Sequence, residues 1–245
     1  MAAVHERYTR EMHDKFGYLA CWLPSQRVVL GDVGRLSAHR FEKVTTLADL
    51  GVAFTSGREG FPAELEYSSP SHVAVSADTT VGLTTDVPLA ALSITFDREG
   101  ATFFQAADCV LESFDDLPSL ESALLRLCDT GTWRSDYVVV TQVLRTGPTA
   151  ILVSDQRGAR IDLRADVEGL TGQLPVARAA GRLSITARSG LAASVIAPDG
   201  ATPLFRAVQL RRKLAGKRRL VFRSDDAPVE LELAPATWTE PVPLD

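Results

Sequence analysis

The residues best equipped for chemistry in this 245-residue chain are four histidines, His5, His13, His39 and His72, and three cysteines, Cys21, Cys109 and Cys128. As metal ligands they would need close spacing on one face, yet no HExxH, HxH or CxxC pair occurs. His5 and His13 fall two turns apart on one predicted helix, too far for a single ion. Cys109 and Cys128 are separated by a loop and part of a helix, and each reads as a small buried hydrophobe. Asp115-Asp116 stands before a leucine stripe, so it reads as a helix cap and not as a carboxylate dyad. There is no GxSxG nucleophile turn, no GxGxxG and no GxxxxGK[ST] phosphate loop. The expectation is no enzyme: no catalytic residue, no metal and no cofactor.

What the chain does carry is a layout of charge. Arg206, Arg211, Arg212, Lys213, Lys217, Arg218, Arg219 and Arg223 are basic, with no acid between the first and the last. Asp225, Asp226, Glu230, Glu232, Glu240 and Asp245 follow, with no base after Arg223. Arg211, Arg212, Lys213, Lys217, Arg218 and Arg219 are the candidate site for acidic phospholipid headgroups, each basic residue being worth about 1 kcal/mol near such a surface. The competing reading is a solvated face beside a disordered tail. A net charge of −5 excludes a nucleic-acid binder by bulk electrostatics, and 45% hydrophobic content is ordinary for a globular chain. An odd cysteine count argues against a disulfide framework and for a reducing compartment. The first ten residues lack the apolar core of a secretory signal, and no apolar run reaches membrane-spanning length. A cytoplasmic protein is expected.

Several elements must position these groups. Val4, Tyr8, Met12 and Phe16 recur every four residues and Gly17 follows, which predicts an amphipathic first helix. Residues 117–129 form the best helix: Asp115 or Asp116 caps it, Pro118 sits in its first turn, Leu117, Leu120, Leu124 and Leu127 give a stripe, and Gly131 ends it. The strongest strand follows at 137–144, with Tyr137 to Val140 apolar in succession, so it is expected at the centre of a sheet. It is left through Arg145-Thr146-Gly147-Pro148. Gly31-Asp32-Val33-Gly34 reads as a turn and 57–62, with two glycines and a proline, as a loop. From Ser71 the pattern alternates to Leu83, resumes at Leu92, Ile94 and Phe96, turns at Arg98-Glu99-Gly100 and returns over 101–110. Further strands are expected near 150–153, 159–163, 183–187 and 191–196, while 204–210 fits helix or strand. Val229, Leu231 and Leu233 alternate with Glu230 and Glu232, which predicts that the acidic tail adds as a strand.

The order of features from Leu117 onward resembles the pore-forming domain of the gasdermin family. A leucine-rich helix ending in Gly131 runs into Tyr137-Val138-Val139-Val140-Thr141-Gln142-Val143-Leu144, which is similar to the family's YVVTEVL-type strand with one extra Val and Gln for Glu. Leu204-Phe205-Arg206-Ala207-Val208-Gln209-Leu210, with basic residues after it, resembles the LAFRVAQL-type strand. Phe16-Gly17-Tyr18 and Leu23-Pro24 are similar in spacing to the short bacterial members. The resemblance implies an α+β fold, a twisted and mainly antiparallel sheet flanked by helices. It implies a pore-forming domain at 1–223 and an inhibitory tail at 224–245, cut by an activating protease around Arg223, Ser224, Asp225 and Asp226. It implies a latent monomer in the cytoplasm that becomes a homo-oligomeric β-barrel in an acidic phospholipid inner membrane, in bacterial cell death or phage defence, with no nucleic-acid partner. One departure is that short bacterial members carry an acylated cysteine within the first few residues, whereas the first here is Cys21, beyond the first predicted helix. The alternative from the residues alone is a soluble α+β binding or interaction module.

Overall fold

The apolar stripe of Val4, Tyr8, Met12 and Phe16 forms helix α1 (Val4–Phe16), which Gly17 ends in a left-handed conformation with φ of 71°. In the second helix, α2 (Leu117–Asp129), the Asp116 carboxylate accepts the Ser119 amide at 3.0 Å and Leu120, Ala123 and Leu124 are buried. Its C-cap is Thr130, one residue before the expected Gly131. The computed structural model describes residues 3–81, 88–166, 176, 183–212 and 231–238, with backbone alone for 59–62, 77–81, 88–90, 165–166, 183 and 212. Its strands before α2 are β1 (Leu19–Ala20), β2 (Asp32–Ser37), β3 (Arg40–Thr46), β4 (Ser56–Ser68), β5 (Val73–Val81), β6 (Pro88–Phe96) and β7 (Thr102–Phe114). Those after it are β8 (Val138–Thr146), β9 (Thr149–Ser154), β10 (Ala159–Asp166), β11 (Leu183–Ser189), β12 (Leu191–Ala197), β13 (Ala201–Arg212) and β14 (Leu231–Pro235).

The fold is α+β: two helices and a largely antiparallel set of strands in two sheets. The first, of ten strands, is built on the path β1-β13-β8-β7-β9-β12, with β14 on β13, β2 and β3 beside β8, and β4 on β7. The second has four strands in the order β11-β10-β6-β5. As the apolar run Tyr137 to Val140 predicts, β8 lies inside the first sheet, between β13 and β7, with Val138, Val139 and Val140 buried. Helix α1 seats Tyr8 and Met12 among Phe104, Leu144, Ile151 and Leu204, while α2 seats Leu120 and Leu124 among Val33, Phe114, Val139 and Leu210.

Three local expectations are corrected. Residues 57–62 are not a loop but part of β4, which pairs with β7 from Ser56 to Ser68 across two register shifts. The register shift between Glu59 and Ala63 absorbs Gly60 and Pro62, since a bulge tolerates a residue without an N–H, while Gly57 pairs regularly with Ser113. Asp32-Val33-Gly34 is strand and not turn: a Cβ at Gly34 would strike the Glu42 carbonyl and the Phe41 ring, so the glycine serves close approach of β3. Nor does the chain leave the sheet at Arg145-Thr146-Gly147-Pro148. Val110 pairs with Arg145 and Ala106 with Thr149, and between them Gly147 N–H donates to the Ala107 carbonyl at 3.0 Å, so β8 and β9 run on as one strand along β7. Residues 204–210, open between helix and strand from periodicity, lie in β13.

Candidate functional site

Of the six candidate lipid-binding residues, Arg211 and Arg212 end β13, opposite Glu232 and Leu231 of β14. Lys213, Lys217, Arg218 and Arg219 lie outside the described residues, as do Arg223, Ser224, Asp225 and Asp226 of the candidate cleavage region. Arg206 is engaged elsewhere: its guanidinium lies 4.3 Å from the Tyr18 ring centroid and donates to the Gly17 carbonyl at 3.3 Å. The described residues therefore do not gather the basic cluster at one place.

The tail strand does form. β14 adds to β13, its Leu233 amide donates to Glu121 of α2 at 3.0 Å, and Leu231 and Leu233 pack against the core beneath α2. Ala236 and Trp238 then join a different core, around Phe41, Val140 and Phe205. Trp238 stacks on His39 with ring centroids 5.5 Å apart, and His39 Nδ1 lies 2.9 Å from the Thr9 hydroxyl of α1. Burial, with Arg10 and His5 adding to it and Glu6 opposing, holds the His39 imidazole below its usual pKa. The C-terminal segment is thus fixed to α2, to β13 and, through His39, to α1.

The cysteines carry no activated thiol. Burial pushes Cys21 upward and its Sγ donates to the Thr202 carbonyl at 3.3 Å. Cys109 is pushed up to about 12 by burial and the nearby Asp108, and Cys128 is raised by burial and Asp129. Among the described residues no group of three or more His, Cys, Asp or Glu is placed to hold a metal, and no helix is long and apolar enough to cross a membrane.

The feature that stands out is an elbow shared by four strands. β4 leads into β5, β6 into β7, β9 into β10 and β11 into β12, and the neighbours are kept: β4-β7-β9-β12 in one sheet, β5-β6-β10-β11 in the other. Each joint holds one left-handed residue, at φ of 61° for Ser71, 71° for Gly100, 78° for Gly158 and 64° for Gly190. Phe96 pairs with Ala159 before the bend and Thr102 with Val153 after it, so the two middle strands spend equal lengths of chain in the elbow. Between these two strands the ladder keeps its register through the bend, while the outer pairs shift theirs.

Beyond the elbow the four-stranded sheet has one apolar and one polar face. Val73, Val75, Leu92, Ile94, Phe96, Ile161 and Leu163 share the first by register. Ile94, Phe96, Ile161 and Leu163 are buried against Phe103, Ala150 and Leu152 of the larger sheet. On the outer strands Val75 is 50% exposed and Ile185 45%. The opposite face carries Ser76, Ser93, Arg160 and Asp162, with Arg160 paired to Asp162 at 2.8 Å. A shallow cavity of about 370 Å³ opens at the elbow, lined by His72, Thr95, Asp97 and Arg157, and His72 Nδ1 lies 2.6 Å from the Asp97 carboxylate.

Sequence reasoning places the turn at Arg98-Glu99-Gly100 but misses that it belongs to a row of four. The signal for the row is one glycine or Ser71 between each pair of alternating runs. No family model matches the chain, and no curated protein matches it.

Proposed function

We propose that this chain is a latent membrane pore-former of the gasdermin type, in which the elbow straightens so that four strands run through both sheets. The observation that carries the reading is the strand order preserved across the elbow, with the register of the two middle strands kept through it. Straightening changes one left-handed residue per joint and leaves the central pairing intact. A membrane strand needs about 9–11 residues with one apolar face. β5 and β6 have nine residues each, and the residues of the elbow would lengthen them. Only a closed barrel satisfies backbone groups in lipid, and four strands cannot close one around water, so several copies must assemble. The outer strands β5 and β11, each with an exposed apolar residue, offer edges for that assembly.

In this reading residues 1–223 form the pore-forming domain and 224–245 a restraint that an activating protease removes near Arg223 to Asp226. Strand β14 supports it, because cleavage would turn a tethered strand into a dissociable one. Arg211, Arg212, Lys213, Lys217, Arg218 and Arg219 would then draw the protein to an acidic inner membrane in bacterial cell death or phage defence. The test is dye leakage from anionic vesicles by protein ending at Ser224. Leakage that is absent for the full chain, for neutral vesicles and at high salt is expected. A trimmed protein that stays monomeric and leaks nothing overturns the reading. The alternative, a soluble binding module, would then take its place, favoured by the burial of Ile94, Phe96, Ile161 and Leu163.

A further inference from the structure

Helix α1 touches the elbow with polar residues that its own folding does not require. Glu11 Oε2 accepts the Ser69 hydroxyl at 2.7 Å and Oε1 accepts the Arg98 guanidinium at 2.9 Å, which ties the first joint to the second. One turn earlier, Arg7 Nη1 donates to the Glu99 carbonyl at 2.8 Å. The Arg7 Cδ also lies only 2.9 Å from where a Cβ at Gly100 would stand, so the side chain lies over the bend itself.

The joints are cross-tied beneath the helix. Ser69, 1% exposed, accepts the Thr102 amide at 2.8 Å, and Ser154, fully buried, accepts the Ala101 amide at 2.8 Å while donating to the Arg98 carbonyl at 2.6 Å. Yet Arg98 Nε and Thr102 Oγ1 are buried without partners. Unsatisfied buried groups raise the free energy of the bent state, which the Glu11 and Arg7 contacts offset together with the apolar packing between the sheets.

We infer that α1 is the latch of the elbow: Glu11 and Arg7 hold the four-stranded sheet folded back on the larger one. The latch persists as long as α1 is seated by Tyr8 and Met12, which are fully buried. Freeing the helix, or removing its two charged contacts, lets the joints at Ser69–His72 and Asp97–Ala101 open. That the elbow opens in use rests on the pore-forming reading, whereas that α1 restrains it does not.

The test is amide hydrogen exchange of the full-length protein, read over residues 69–72 and 97–102 in Glu11→Ala, in Arg7→Ala and in Asp14→Ala, an exposed position of the same helix. Loss of the Glu11 contacts is expected to speed exchange at the elbow about tenfold, with Arg7→Ala weaker and Asp14→Ala unchanged. Exchange within β8 should stay as slow as in the parent. If Glu11→Ala does not fold, Arg7→Ala carries the same expectation. Elbow exchange unchanged in Arg7→Ala and in a folded Glu11→Ala overturns the latch. Leakage by tail-trimmed protein is measured in parallel. A faster elbow with no leakage from any trimmed protein upholds the latch and fails the pore, while leakage with an unmoved elbow does the reverse.

Discussion

Four strands of the larger sheet continue into the smaller one, and the two sheets bury their residues in opposite ways. Along β8 and β9 residues pointing to either face are buried: Val138, Val139 and Val140 in succession, then all six residues from Thr149 to Ser154. In the four-stranded sheet one face is polar, and the apolar face is largely buried on its two middle strands but only partly covered on the outer ones. Ile94 and Ile161 are inaccessible, while Val75, paired with Ile94 in the next strand, is half exposed. The larger sheet is therefore where burial sustains the fold. The smaller sheet holds apolar surface that its own chain does not fully cover, and its Arg160–Asp162 pair is open to solvent. The contrast separates strands buried on both faces from a sheet held through one face alone.

The most drastic substitution tests that contrast directly. Val139→Asp places an unpaired charge between α2 and the sheet and should cost more than about 4 kcal/mol, leaving little folded protein. Val75→Asp, at 50% exposure on an outer strand, should change stability by no more than about 0.5 kcal/mol. Urea unfolding of the two variants measures both. Similar losses would mean that the smaller sheet supports the fold as much as the larger one does.

An intermediate effect is expected at the elbow that separates the regions. Gly158 has φ of 78° and nothing within 4 Å of where a Cβ would stand, so Gly158→Ala meets only backbone strain. A left-handed alanine costs about 1–2 kcal/mol, and the loss should appear in the full-length protein as a lower midpoint of unfolding. A straightened strand removes that strain. The same substitution should therefore speed leakage by the tail-trimmed protein while weakening the resting one. Slower leakage from a destabilised variant would show that Gly158 stays left-handed throughout.

The elbow also marks where the sequence stops being legible. Periodicity alone places α1, α2 and the central strand, because Val4, Tyr8, Met12 and Phe16, the Asp116-capped leucines and the run from Tyr137 each report one local period. Tail strand β14 is legible for the same reason, from Leu231 and Leu233 alternating with Glu232. A glycine between two alternating runs, by contrast, has two meanings: either the chain reverses into a hairpin, or it bends and goes on into a second sheet. Gly100, Gly158 and Gly190 are of the second kind, and only the strand partners on either side of each glycine distinguish them. Residues 57–62 mislead in a related way, since their composition is that of a loop and their strand comes from pairing with β7. Glu11 and Arg7 carry no signal at all, being ordinary charges on the polar side of an amphipathic helix.

The mildest effect separates the two sheets through charge. On the larger sheet Glu112 of β7 takes two hydrogen bonds from Arg145 of β8, at 3.0 and 2.9 Å, with Arg58 of β4 at 3.3 Å, so one carboxylate joins three strands. The hydrogen bond from Arg145 holds its carboxyl below the usual glutamate range, with the nearby positive charges of Arg145 and Arg58 adding and desolvation opposing. On the smaller sheet the hydrogen bond from Arg160 likewise lowers Asp162, but these two residues lie on one strand. A carboxyl lowered in the folded state stabilises above its unfolded pKa, and that contribution is lost as pH falls through the folded value. Both pairs thus contribute at neutral pH and fade in acid. Their weights differ, because the Glu112 side chain is only 16% exposed and crosses strands, whereas Arg160 at 56% is screened by solvent. Glu112→Gln should therefore flatten the acid limb of the stability curve, by less than about 1 kcal/mol at neutral pH. Asp162→Asn should flatten that limb by less, since a solvent-screened pair within one strand persists in part when the chain unfolds. Thermal melts from about pH 3 to 7 read both, and an equal response from the two variants would place the ionic restraint on both sides of the elbow.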